Sequence, residues 1–465
     1  MRLPGAAPVK TALFLVMMTL APNGGSLAIA ADDGQLCARS GRDLEARMQA
    51  CARVIGRGGA PGKLSTAFYF RAQIHRRRGA LDAAVSDFNM AIALNPLNPQ
   101  ASVGRGQAFI AKGDFDGAIA DFNRVVSINP KLAAGYVGRG DAYRAKGEYE
   151  LAILDAGRAL AIDPRNAAAY NVRGSAYYAR RDDARAHLDF NKLISIDPRN
   201  AQAFNNRGLV YQRQKKPGRA IADFDQAIKL DPKFAAALAN RGWTYLGKED
   251  HDHALADFDK AASLDATLST AYAGRGAALN RMGEYDRAIA ELDKAIALNP
   301  RYARAYVERG AAYRAKEQYD QALASLHRAV SLDRSSPAAF ASRGLAYRLK
   351  GEYDRAIADY DVAITLDGKL GSAYVGRAAA CFAKGELDRA LADLNQGLAL
   401  SGDDITGYVY RGQTLEARGD REGALADYNK AAGLPFRNQW EKERRAEAVR
   451  RLEVINARPA LSSAP

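Results

Sequence analysis

One arginine position recurs every 34 residues, eleven times without a gap: Arg71, Arg105, Arg139, Arg173, Arg207, Arg241, Arg275, Arg309, Arg343, Arg377 and Arg411. A period of this length repeated so often specifies a stack of one supersecondary unit, because each unit can bury its apolar face only against its neighbours. It excludes a string of independent compact domains.

Offsets from that arginine give the unit. Three residues before it stands an aromatic in nine of the eleven copies, immediately after it Gly or Ala, and four after it usually Tyr. The spacing i, i+4, i+7 is one face of a helix. Thirteen residues after the arginine comes Ala in all eleven copies, from Ala84 to Ala424. Phe, Leu or Tyr mostly follows at +17 (Phe88, Phe122, Phe190, Phe224, Phe258, Tyr360), and usually Ala at +20, so a second helix carries a matching face. Gly79, Gly113, Gly147, Gly283, Gly351, Gly385 and Gly419 stand where the first helix should stop, and Pro96, Pro130, Pro164, Pro198, Pro232 and Pro300 close the second. The predicted class is all-α.

The segment Ala305-Tyr306-Val307-Glu308-Arg309-Gly310-Ala311-Ala312-Tyr313, followed by Tyr319-Asp320-Gln321-Ala322-Leu323, resembles the tetratricopeptide repeat family in its aromatic, Gly, Tyr and Ala slots. The resemblance implies a right-handed superhelical α-solenoid of about eleven helix-turn-helix repeats, here over residues 65–438. It also implies a groove, lined by the first helices, that holds a peptide or partner protein. Neither catalysis nor a cofactor follows from it, and no nucleophile, base and acid constellation stands in the sequence, so the chain is expected not to be an enzyme.

The flanks differ in composition. Arg2 and Lys10, the uncharged apolar run Thr11 to Ala21 and the small-x-small site Ala28-Ile29-Ala30 read as a secretory signal over residues 1–30, cut after Ala30. The run is too short for a membrane anchor, and Pro22-Asn23-Gly24-Gly25 interrupts it. A periplasmic or secreted location follows, with no transmembrane segment in the mature form. In such a compartment Cys37 and Cys51 are expected to pair within an N-terminal cap over residues 31–64, half a repeat in phase with the others. Cys381 occupies a core slot and is expected to stay reduced. At the other end Trp440, Val449, Leu452 and Ile455 predict a capping helix over 439–457, before a disordered tail over 458–465.

Most charged positions have structural explanations. An acid lies sixteen residues after the repeated arginine in ten of eleven units, the exception being Ser325, which predicts a ladder between the helices of each unit. Basic residues at +7 fall at first-helix ends, where they complement the helix dipole. His251 and His253 diverge on a helix, so no metal site is expected. The net charge of +14 favours anionic partners, but export and the regular pairing of arginine with acid disfavour nucleic acid.

Positions that vary between repeats while facing the groove carry the functional information. By family analogy these include Arg144, Asn171, Tyr178, Asn205, Gln212, Arg213, Trp243, Leu246, Arg314 and Arg348, the candidate partner-binding residues. Basic groove residues outnumber the acids Asp141 and Glu416, while Tyr178, Leu209, Trp243 and Leu246 supply a wider apolar patch. An extended segment with acidic and apolar side chains suits this surface. The family's carboxylate clamp, which needs Lys and Asn at set slots, is absent, so capture of a chaperone tail is not expected. A non-catalytic scaffold is therefore the first reading. The alternative is a binder of an anionic polysaccharide or cell-wall polymer within an envelope export or assembly system.

Overall fold

The computed structural model describes residues 33–39, 43–436 and 439–457, and all regular structure among them is helical. The expected signal segment and the tail from Arg458 lie outside the described residues. No described helix is long and apolar enough to cross a membrane.

Two units meet at Pro198 and Arg199 in the chain. The first holds an N-terminal cap and four helix pairs, from Pro61–Arg77 with Leu81–Leu94 to Ala167–Ala179 with Asp183–Ile196. Its first repeat starts at Pro61, ahead of the expected start at Ser65, because the proline at the first helical turn lacks only an N–H that would have no helical partner anyway. The second unit holds seven pairs, from Ala201–Arg213 with Pro217–Leu230 to Ile405–Ala417 with Arg421–Gly433, and the closing helix Gln439–Ala457. Within each unit every helix packs on the next. Successive first helices also touch one another, whereas successive second helices do not, so the first helices form the inner face of each unit and the second helices the outer.

The invariant Ala at +13 is fully buried in every copy, for instance Ala220, Ala288 and Ala322. Its methyl group lets the two helices of a pair approach closely, and the large residue at +17 fills the space beside it. The Gly at +1 answers to that residue: a Cβ on Gly208 would lie 2.7 Å from the ring of Phe224. First helices end at +8 on a left-handed residue, Gly351 at φ 86° being typical. In four repeats the same left-handed turn is made by Arg181, Lys215, Glu249 and Glu317.

Both ends are closed by additional helices. Cys37 and Cys51 form a disulfide that joins the short helix at residues 33–38 to the helix Leu44–Arg57. Asp33 receives ion pairs from Arg53 and Arg57, which hold its carboxyl below the usual range. Cys381 is buried and free, and burial pushes its thiol up to about 11, which fits a packing role. At the C-terminus Ala448, Leu452 and Ile455 pack on the last repeat. Trp440 and Val449, expected on that stripe, are exposed instead, and the Arg444 guanidinium lies 4.6 Å from the Trp440 ring centre.

Candidate functional site

Arginine does two jobs in this chain, and separating them locates the candidate site. The repeated arginine is a structural brace. In Arg207, for example, Nε and the terminal nitrogen donate to both oxygens of Asp223 at 2.8 and 2.7 Å, and the same two-pronged contact recurs along the chain. Ser325, where the acid is missing, still accepts from Arg309 at 3.1 Å. A second partner was not legible from the first: Arg241 also donates to Asp225, and Arg377 to Asp361, each sixteen residues upstream in the preceding repeat. Each such arginine therefore ties its own second helix to the one before it. Basic residues at +7 act similarly. Lys146 meets Asp116, Lys384 meets Asp354 and Arg418 meets Asp388, so these cations link neighbouring repeats as well as complementing helix ends.

The expected groove residues lie on the first helices, and the structure treats them unequally. In the first unit Arg144 is bound by Asp141 of its own helix at 2.8 Å, so its charge is largely answered. Asn171 and Tyr178 are half-buried on Ala167–Ala179. In the second unit Asn205 is buried and accepts from Asn240 at 2.8 Å, and Gln212 donates to Thr244 at 3.1 Å. These amides bridge adjacent first helices and are committed to the scaffold. Arg213 is half-buried on Ala201–Arg213.

Trp243 and Leu246 are core residues, each only 7% exposed, and so do not form the open apolar patch expected of them. The Trp243 ring meets Phe258 edge-on at 5.4 Å, and its other neighbour is the Arg304 guanidinium, 3.4 Å from the ring centre. An aromatic at this slot has a phenylalanine beneath it and a cation above it, which leaves no open face.

Arg314 and Arg348 occupy the same +5 slot of adjacent repeats, on Ala303–Ala315 and Pro337–Lys350. Both are half-buried, and neither has an acid within ion-pair distance among the described residues. Burial lowers the Arg314 pKa, and the nearby Arg348 charge lowers it further. Burial also pulls Arg348 down, but the hydroxyls of Tyr410 and Tyr360 beside it raise it on balance. Arg348 donates to the Tyr410 hydroxyl at 3.0 Å, while its Nε is buried without a partner.

Tyr360 completes this cluster and went unrecognised as a site residue. It fills the +17 slot, where most repeats carry Phe or Leu, so its ring is core while its hydroxyl reaches the inner face past Gly376, whose added Cβ would lie 2.4 Å from the ring. Burial pushes the phenol up to about 12, against the pull of Arg348 and Arg314, so the hydroxyl stays neutral. Tyr428, at the same slot of the last repeat, uses its hydroxyl differently, donating to Glu416 at 3.0 Å. The signal was a single oxygen: Tyr in place of Phe at a core position.

Comparison with known proteins agrees with this architecture. Tetratricopeptide repeat models match residues 69–133, 201–234, 235–268 and 337–370, and a further model described as TPR repeat matches 140–180, 277–314 and 310–351. Among solved structures, the crystal structure of the APC/C hetero-tetramer Cut9–Hcn1 is 14% identical with a TM-score of 0.52, the match covering 87% of this chain and 93% of that one. A tetratricopeptide repeat protein from Parabacteroides merdae is 21% identical over 54% of this chain and 98% of its own, with a TM-score of 0.41. MamA is 28% identical over 35% of this chain and 94% of its own, with a TM-score of 0.31. No curated protein sequence matches. With repeat models covering more than half of the residues, and the helix pairs, capping turns and packing slots of such repeats in place, the chain belongs to the tetratricopeptide repeat family.

Proposed function

We propose that this protein is a non-catalytic adaptor that holds an extended peptide or a partner protein against the inner face of its first helices, in the periplasm. The family and fold make it a protein-interaction scaffold. One contrast carries the choice of face. Repeated arginines, whose job is structural, are each bonded to an acid, Arg309 to Asp293 where Ser325 replaces the usual one, whereas Arg314 and Arg348 on the inner face are left without a carboxylate. Keeping the half-buried Arg314 cation without an acid and beside a second cation costs stability, so a scaffold with no ligand to meet there would gain by replacing it. The ligand is accordingly acidic. Export is supported by the charged, apolar and small-x-small pattern of residues 1–30 and by the disulfide between Cys37 and Cys51.

Affinity capture by the mature protein from an envelope extract, read by mass spectrometry, tests this reading. Stoichiometric protein partners support it. Retention on anionic glycan alone, eluted by salt, would replace it with the polymer-binding alternative.

A further inference from the structure

We propose that Arg314, Arg348, Tyr360 and Tyr410 form one subsite that takes two carboxylates, from acidic side chains two residues apart on an extended peptide. This rests on the scaffold reading and specifies where and how it binds.

Three observations converge on these four side chains. The first is charge without compensation. Two guanidinium groups sit in the same slot of neighbouring repeats, close enough to repel each other, with no acid in contact. Arginine does not shed its proton, so the repulsion cannot be relieved by titration and is relieved only by an anion. The second is unused hydrogen-bonding capacity. Arg348 is engaged only by the neutral hydroxyls of Tyr410 and Tyr360, and Arg314 makes no hydrogen bond among the described residues. The third is the placement of the hydroxyls. Tyr360 rises from the core and Tyr410 stands on Ile405–Ala417, two first helices beyond that of Arg348, so phenols flank the arginines and can donate to an oxygen that the guanidinium groups attract.

Geometry selects the ligand within the anions. Neighbouring packed helices lie roughly 8–10 Å apart, so the two cations spring from backbones about one helix spacing apart. A compact dianion such as phosphate would satisfy one of them. An extended chain advances about 3.3 Å per residue and alternates its side chains, so acids two positions apart face the same way and reach both. The guanidinium fork matches a carboxylate in two-pronged contact, as the repeated braces of this same chain already show.

The contrast with the last repeat supports a ligand role. There the same through-core tyrosine, Tyr428, meets Glu416, which Arg451 of the closing helix also approaches at 3.5 Å. That arrangement supplies its own acid. The one built around Arg348 does not.

The test uses the mature protein and dye-labelled decapeptides of Ala and Leu with glutamate at positions four and six, read by fluorescence anisotropy at low salt. The diglutamate peptide should bind, its glutamine counterpart at least about ten-fold more weakly, and a single-glutamate version in between. Arg314→Gln with Arg348→Gln should weaken the diglutamate peptide at least about ten-fold and flatten its salt dependence. Tyr360→Phe leaves the core slot filled by the residue five other repeats use, and should weaken binding several-fold with no loss of thermal stability. Arg314→Met should leave the melting temperature unchanged or higher while affinity falls, an outcome that a purely structural arginine would reverse. Inorganic phosphate should compete only weakly. The subsite is refuted, with the scaffold reading intact, if the peptide binds wild type and the arginine double variant alike, if phosphate displaces it readily, or if no diglutamate peptide binds while protein partners are still captured from extract. Absence of both peptide binding and protein capture would refute the scaffold reading as well.

Discussion

Four residues hold a backbone conformation that the other repeats assign to glycine, and replacing one of them should stabilise the protein. Arg181, Lys215, Glu249 and Glu317 end their first helices at φ between 56 and 63°, whereas Gly113, Gly147, Gly283 and Gly351 make the same turn at 81 to 90°. A left-handed L-residue costs about 1–2 kcal/mol through contact of Cβ with the following carbonyl oxygen. Glycine removes that contact but loses about 0.5–1 kcal/mol more chain entropy on folding, leaving a net gain of roughly 0.5–1 kcal/mol per site. Nothing offsets this, since all four side chains are exposed and make no hydrogen bond or ion pair among the described residues. The backbone N–H of Glu317 donates to the Arg314 carbonyl at 2.9 Å, and glycine keeps that bond. Glu317→Gly should therefore raise the denaturant midpoint of its repeats, and the quadruple variant should gain about 2–4 kcal/mol, because the sites are a full repeat or more apart and add independently. Gly351→Ala should move the other way by about 1 kcal/mol. Hydrogen exchange resolved by repeat, with equilibrium denaturation, reads both. A loss in Glu317→Gly, or no difference between it and Gly351→Ala, would show that the turn is not under steric control.

The other predictions concern packing, the brace and the ends. Ala322→Leu, at a fully buried slot, should cost about 1–3 kcal/mol by overpacking, while Ala324→Leu, on the exposed face, should change stability by less than about 0.5 kcal/mol, both by denaturant titration. The two acids held by Arg241 should differ sharply on truncation: Asp257→Ala, whose side chain is 8% exposed, costs about 3 kcal/mol, and Asp225→Ala, 51% exposed, at most about 1 kcal/mol. Equal costs would mean that burial does not set the strength of the brace. Peptide mapping without reductant should yield Cys37 linked to Cys51, and Cys51→Ser should cost the N-terminal repeat about 3 kcal/mol in the chain-entropy model, seen as faster exchange there. N-terminal sequencing of the exported protein should begin at Ala31; retained Met1 would remove the export proposal.

Periodicity made the fold legible, because an Ala at +13 in every copy can hardly serve anything but a helix contact repeated along a stack. The intra-repeat brace was legible for the same reason, since sixteen residues separate arginine and acid in unit after unit. Cross-repeat contacts were not. The partners Asp225 and Asp361 belong to the preceding repeat, and sequence spacing alone does not say which of two acids a long side chain reaches. The site was partly legible. Slot analogy placed Arg314 and Arg348 on the inner face, but it also placed Trp243 there as an anchor, and it could not foresee that Arg304 would cover that ring. Slot position gives the direction of a residue's Cα–Cβ bond; accessibility depends on what the next repeats lay over it. Tyr360 was missed for the opposite reason, since a core slot conceals a hydroxyl that passes through to the other side.

Site-specific photo-cross-linking tests the central claim, that the inner face and not the outer one takes the partner. A photoreactive amino acid would be placed at Arg281 or Ala341 on first helices, and at Leu298 or Val362, which are exposed on second helices. Irradiation in intact cells, followed by gel analysis of the purified protein, should give discrete protein adducts from the two inner positions and none from the outer pair. Adducts from Leu298 and Val362 with none from Arg281 and Ala341 would place the partner on the second helices and contradict the account.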